Sequence, residues 1–156
     1  MFARALGFGG SRGVDGGLES GRLLARPVAR AVLLRLTLAA MMRRRALPEL
    51  LRALTPEATA IEPAPLAEAE RALAIAERLS GHLRVVPRTC LYRALARYAV
   101  LRRAGHPARF VMGLRPRAPE ITGHAWVELD GAPVGETLEE RFAVTFSYPD
   151  LDPSTP

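Results

Sequence analysis

The chain contains no lysine, a single cysteine and no apolar run long enough to span a bilayer. Each shortage excludes something. Without a second thiol, Cys90 cannot close an intramolecular disulfide. One cysteine with three histidines is also a poor donor set for a structural zinc site, so no metal and no other cofactor is expected. All 22 basic side chains are arginine. Beside so much Ala, Gly and Pro, this reads as GC-rich coding rather than as selection for arginine chemistry. The apolar stretch from Ala31 to Met42 holds 12 residues and is interrupted by Arg35, against the roughly 20 that cross a membrane. A core helix ending at Arg43-Arg44-Arg45 accounts for it better than a membrane-surface helix does, since those charges suit a helix C-terminus. The usual targeting pattern is missing too, because residues 7–21 are glycine-rich. The chain is expected in the cytoplasm.

What is present suits one compact domain. The length of 156 residues is too short for two well-packed units, and 49% hydrophobic content supplies a core. The net charge of +6 is concentrated at one end: residues 1–45 carry nine Arg against Asp15 and Glu19, while the remainder is close to neutral. Nothing in that remainder reads as a nucleic-acid groove. Residues 1–22 read as a flexible tail, and 23–156 as a single domain with a helical part (23–81) and a catalytic part (82–140).

The helical part divides into segments near 25–43, 47–54 and 65–80, the last amphipathic with Leu66, Ala69, Leu73, Ala76 and Leu79 near one face. Gly81 is a plausible stop. A further helix runs from Cys90 to about Arg103 and ends before Gly105 and Pro107. The period then changes. Ala108–Leu114 reads as a strand and Pro116–Glu120 as a loop. His124–Leu129 alternates His, Trp and Glu against Ala, Val and Leu. Asp130-Gly131 is a hairpin signal, Ala132–Thr137 the returning strand, and Ala143–Phe146 a further short one. Helices followed by antiparallel strands give an α+β class.

Two residues carry the chemistry. Thr89 is a good N-cap, which puts Cys90 in the first turn of its helix. Unpaired backbone N–H groups and the positive end of the helix dipole favour a negatively charged sulfur there. His124 follows 34 residues later in Gly123-His124-Ala125-Trp126-Val127-Glu128. Dull alternatives stand beside both: a lone cysteine is often a small buried hydrophobe, and a strand histidine is often merely half-buried. Trp126, on the face of His124, reads as core or pocket wall. His82 and His106 read as surface residues.

A Cys–His pair needs an acceptor on the far ring nitrogen. Asp130 lies six residues along the same strand, roughly 20 Å away, and serves better as a turn residue. Glu136 is the better candidate, but its placement depends on the hairpin. A two-residue Asp130-Gly131 turn pairs Leu129 with Ala132 and sends Glu136 to the wrong face. A three-residue loop with Gly131 in a bulge pairs Glu128 with Ala132 and sets His124 opposite Glu136. The candidate therefore requires the bulged turn.

The stretches Cys90-Leu91-Tyr92-Arg93-Ala94-Leu95, Gly105-His106-Pro107-Ala108-Arg109 and His124-Ala125-Trp126-Val127-Glu128 resemble, in order and spacing, the transglutaminase-like cysteine peptidases of lasso-peptide biosynthesis. The likeness covers about residues 85–137. It implies a papain/transglutaminase-like core, a Cys-bearing helix packed on a small antiparallel sheet, with Cys90 and His124 at the matching motif positions. The third position falls on Glu136, where Asp is the commoner residue. The resemblance further implies removal of a leader from a ribosomally made precursor peptide. It implies as partners a small leader-recognition protein and an ATP-dependent cyclase. Two other readings stay open: an acyl transferase with the same site, and a non-catalytic peptide-binding module.

Overall fold

The computed structural model describes residues 15–57, 62–84, 86–117, 120–138 and 141–150, with 15–24, 116, 117 and 120 as backbone only. Four helices precede four strands: α1 (Asp15–Met42), α2 (Leu47–Leu54), α3 (Leu66–Ser80), α4 (Cys90–Arg103), β1 (Arg109–Arg117), β2 (Glu120–Leu129), β3 (Ala132–Pro133) and β4 (Ala143–Tyr148). The strands form one antiparallel sheet in the order β3-β2-β1-β4. This is the expected α+β layout.

α4 is the hub. Thr89 enters in an extended conformation and its side chain accepts the Tyr92 N–H at 3.2 Å, which fixes the first turn at Cys90. The helix stops where expected: Arg102 and Arg103 lie in the last turn, and Gly105 takes φ 90°, a left-handed conformation that favours glycine. Its buried residues are not a single stripe. Tyr92, Ala94, Leu95, Ala96, Tyr98, Ala99 and Leu101 are all buried, because α1, α2, α3, β1 and β2 all pack against it. Leu38 from α1, Leu51 and Leu54 from α2, Leu73 from α3, and Phe110, Ala125 and Val127 from the sheet complete one core.

α1 differs from expectation at its start. Residues 15–22, read from their glycines as tail, are helical, whereas residues 1–14 lie outside the described residues. Once a helix is anchored on a core, each further residue adds one backbone hydrogen bond without a new nucleation cost, so it extends past weak formers. At the other end, Arg43, Arg44 and Arg45 are exposed just beyond Met42, as expected. Arg35, the interruption in the apolar run, points inward and is 4% exposed. Its Nε donates to Ser80 Oγ at 2.8 Å and its Nη1 lies 3.3 Å from Glu77 Oε1. The guanidinium sits 5.1 Å from the centre of the Tyr92 ring, and the Tyr92 hydroxyl donates to the Arg35 carbonyl. This one side chain thus ties α1 to α3 and α4.

The hairpin departs from the bulged turn. Leu129 pairs with Ala132 and Glu128 with Pro133, the register of a two-residue turn. Asp130 at φ 50° and Gly131 at φ 77° both take positive φ, the mark of the tight turn whose twist matches the strands it joins. Pro133 occupies a position that needs no ladder donor, and Val134 N–H then bonds to Val127 O at 2.9 Å. There β3 ends, well short of the strand expected to Thr137. Gly135 at φ 70° turns the chain away from the ladder.

Candidate active site

β2 sets His124, Trp126 and Glu128 on one face and Ala125 and Val127 on the core face. Beyond the short β3, the chain after Gly135 brings Glu136 back to His124. The imidazole Nε2 lies 2.6 Å from Glu136 Oε2. The contact sought from the bulged register therefore exists, by a different route. Parity along a strand holds only while the ladder continues, and the left-handed Gly135 breaks it one residue before Glu136.

The carboxylate is held from its other side by α4. Arg97 Nη1 lies 3.4 Å from Glu136 Oε1, and Nη2 lies 3.5 Å from the Gly135 carbonyl. His124, Glu136 and Arg97 are partly shielded, with side chains 20%, 25% and 13% exposed. Aromatic rings wall the imidazole. Trp126 stacks parallel to it at 6.0 Å, and Phe142 is tilted against it at 5.4 Å. Trp126 is buried and packs on the imidazole, within the expectation of core or pocket wall. Its indole N–H donates to Glu128 Oε1 at 2.8 Å, and Glu128 in turn pairs with Arg109 at 3.6 Å. The tryptophan is fixed at both its ring and its polar tip.

Cys90 is a free, half-buried thiol at the start of α4. Among the described residues no hydrogen bond joins it to His124. The two residues are carried by α4 and β2, which pack together. With Nε2 engaged by Glu136, Nδ1 is the ring nitrogen left to face a nucleophile. Asp130 is a turn residue on exposed chain, as expected. His82 is exposed, whereas His106 is half-buried, because its backbone N–H is drawn back onto Leu101 O at 3.0 Å. No group of three or more His, Cys, Asp or Glu among the described residues is arranged to hold a metal ion.

Sequence reasoning missed Arg97 and Phe142. The first carried a signal, since it lies seven residues after Cys90, on the same stripe of the helix. Phe142 carried none, because it lies just before β4 and meets His124 only through the pairing of the sheet. Among the described residues, no helix is long and apolar enough to cross a membrane. Neither the curated proteins nor the solved structures hold a significant match to the chain. A family model does match, over residues 32–147, a span that takes in α2, α3, α4, the whole sheet up to Ser147 and most of the apolar half of α1. On that match the chain belongs to the transglutaminase-like superfamily.

Proposed function

We propose that the chain is a cysteine peptidase that removes the leader from a ribosomally made lasso-type precursor peptide. Cys90 is the nucleophile, His124 the base and Glu136 the acceptor that orients it. The observation that carries this reading is the 2.6 Å contact between His124 Nε2 and Glu136 Oε2, on a strand packed against the helix whose first turn bears the lone cysteine. The superfamily supplies the chemistry, cysteine-based hydrolysis or acyl transfer, and the ordered motifs around Cys90, Gly105 and His124 favour the lasso branch.

In the reaction, His124 Nδ1 takes the thiol proton and the sulfur attacks the scissile carbonyl carbon. The oxyanion forms beside the Cys90 N–H, a first-turn donor that has no acceptor within its own helix. The imidazolium, stabilised by the Glu136 carboxylate, returns its proton to the leaving amine. Water, deprotonated by the same imidazole, then releases the acyl group and restores the thiol. The occupied Nε2 and available Nδ1 match this division of labour. A small leader-recognition protein would present the precursor, and an ATP-dependent cyclase would use the freed core, all in the cytoplasm. An acyl transferase would share every step except the last, with an amine in place of water.

The test is to mix the purified chain with a candidate precursor and a leader-recognition protein encoded beside it, and to follow the masses. Cleavage at one leader–core bond that disappears in Cys90→Ala supports the proposal. Conversion only in the presence of an added amine, with the amine joined to the acyl part, supports transfer instead. An intact precursor together with no labelling of Cys90 by an electrophilic thiol probe would leave the binding module.

A further inference from the structure

Arg97 sits two helical turns after Cys90, so both side chains leave α4 along one stripe about 10 Å apart. Its guanidinium meets Glu136 Oε1 at 3.4 Å and the Gly135 carbonyl at 3.5 Å, while the other carboxylate oxygen, Oε2, meets His124. Gly135 is shaped to this contact in two ways. Its φ of 70° is a conformation that side chains rarely adopt, and a Cβ built on it would lie 2.6 Å from Arg97 Nη2 and 2.7 Å from Cζ. The guanidinium therefore lies flat against backbone that only glycine leaves bare. A half-exposed carboxylate on a loop has several rotamers open to it, and an ordinary surface ion pair would not choose among them. Here two donors on one rigid, buried helix grip the loop at adjacent residues.

We propose that Arg97 is a positioning residue, and that with Gly135 it forms a latch holding Glu136 in the rotamer that receives the His124 Nε2–H. The latch itself concerns His124 and Glu136, and its value for catalysis rests on the function proposed above. The helix that carries the nucleophile at its first turn would also fix, two turns on, the acid that orients the base. Nucleophile and acid are then referred to one rigid element, although Cys90 and Glu136 lie 46 residues apart in the chain.

The readout is the tautomer of His124, from ¹⁵N shifts of the imidazole nitrogens in the full-length protein, one of only three histidines to assign. The wild type should show the proton on Nε2. Arg97→Met should shift the signals toward a mixture of tautomers, as Glu136→Gln should, while Arg97→Lys should restore part of the wild-type pattern. Gly135→Ala keeps every charge yet pushes the guanidinium away, so it should reproduce Arg97→Met. Added to Arg97→Met, it should change the His124 signals no further. A folded Arg97→Met protein with wild-type His124 shifts overturns the latch. If Arg97→Met does not fold, wild-type shifts in Gly135→Ala overturn it equally. Alkylation of Cys90 by iodoacetamide, measured on the same variants, separates latch from function. It should slow on the order of 10-fold when the latch is broken. Shifted His124 signals with unchanged alkylation would uphold the latch and overturn the catalytic reading of Cys90.

Discussion

Two arginines organise this molecule in parallel ways, and the difference between them is instructive. Arg35 in the helical half and Arg97 beside the sheet each reach a glutamate from another part of the chain, at 3.3 and 3.4 Å. Around Arg35 the partners are a hydroxyl, a carboxylate and an aromatic face, and the side chain is 5% exposed. That set closes on itself and binds helices together. Around Arg97 the chain of contacts runs on through Glu136 to His124, where one ring nitrogen is left over. The first network ends in packing and the second ends at the imidazole proposed as the base. The same ion pair is a staple in one place and part of a site in the other, according to what its far end touches.

Variants can break this comparison, beginning with the largest effect. Cys90→Ala should abolish precursor cleavage while the melting temperature stays near wild type, because it removes one half-buried atom and no cap. Full activity in that variant would end the cysteine-peptidase reading. Next comes Glu136→Gln, which should lower turnover by a factor on the order of 10² to 10⁴, as amidation of a triad acid does. Glu136→Asp should retain more activity than Glu136→Gln, and neither should move the denaturation midpoint much. If Arg35 is a staple, the pattern must reverse. Arg35→Met should cost about 1–3 kcal/mol in denaturant unfolding, because Ser80 and Glu77 lose their donor, with per-molecule activity of the folded fraction unchanged.

The smallest effect is Tyr92→Phe, about 1 kcal/mol for one buried hydrogen bond to the Arg35 carbonyl. Its pH dependence sharpens the test. Burial pushes the Tyr92 hydroxyl above its ordinary 10.0, against the opposing pull of the Arg35 charge. The unfolded chain thus ionises first. The advantage of Tyr over Phe should be constant below about pH 10 and shrink as pH rises beyond it. A difference that grew with alkalinity would mean that Tyr92 ionises more easily in the folded protein.

Much of the helical half and the sheet could be read from local signals. Thr89, Cys90 and Gly105 mark a helix by capping chemistry that needs no tertiary partner, and its ends fall where they predict. The Asp130-Gly131 turn is legible as a hairpin, yet setting Glu136 opposite His124 by register alone requires the bulged form, and the chain makes the tight one. The acid reaches the imidazole only because Gly135 leaves the ladder, and nothing in alternation along a strand announces where a ladder stops. Phe142 and the inward Arg35 were likewise hidden, since their partners lie far off in sequence. Arg97 was the opposite case: its spacing from Cys90 was in plain view, but its partner depended on that same unseen turn.

The burial of α4 on nearly all sides has a consequence for motion. Backbone amides in the middle of such a helix exchange with solvent only when the whole domain opens, so they report its global stability. The proposed nucleophile is therefore mounted at the end of a helix that five other elements cover, whose central amides should be among the slowest to exchange. Under the proposed function, any adjustment that admits a peptide has to come from the other side of the site, where a two-residue strand and a left-handed glycine connect the imidazole's neighbour to the sheet. Hydrogen exchange should divide the protein along that seam, with the middle of α4 on the slow side and the backbone around Gly135 on the fast.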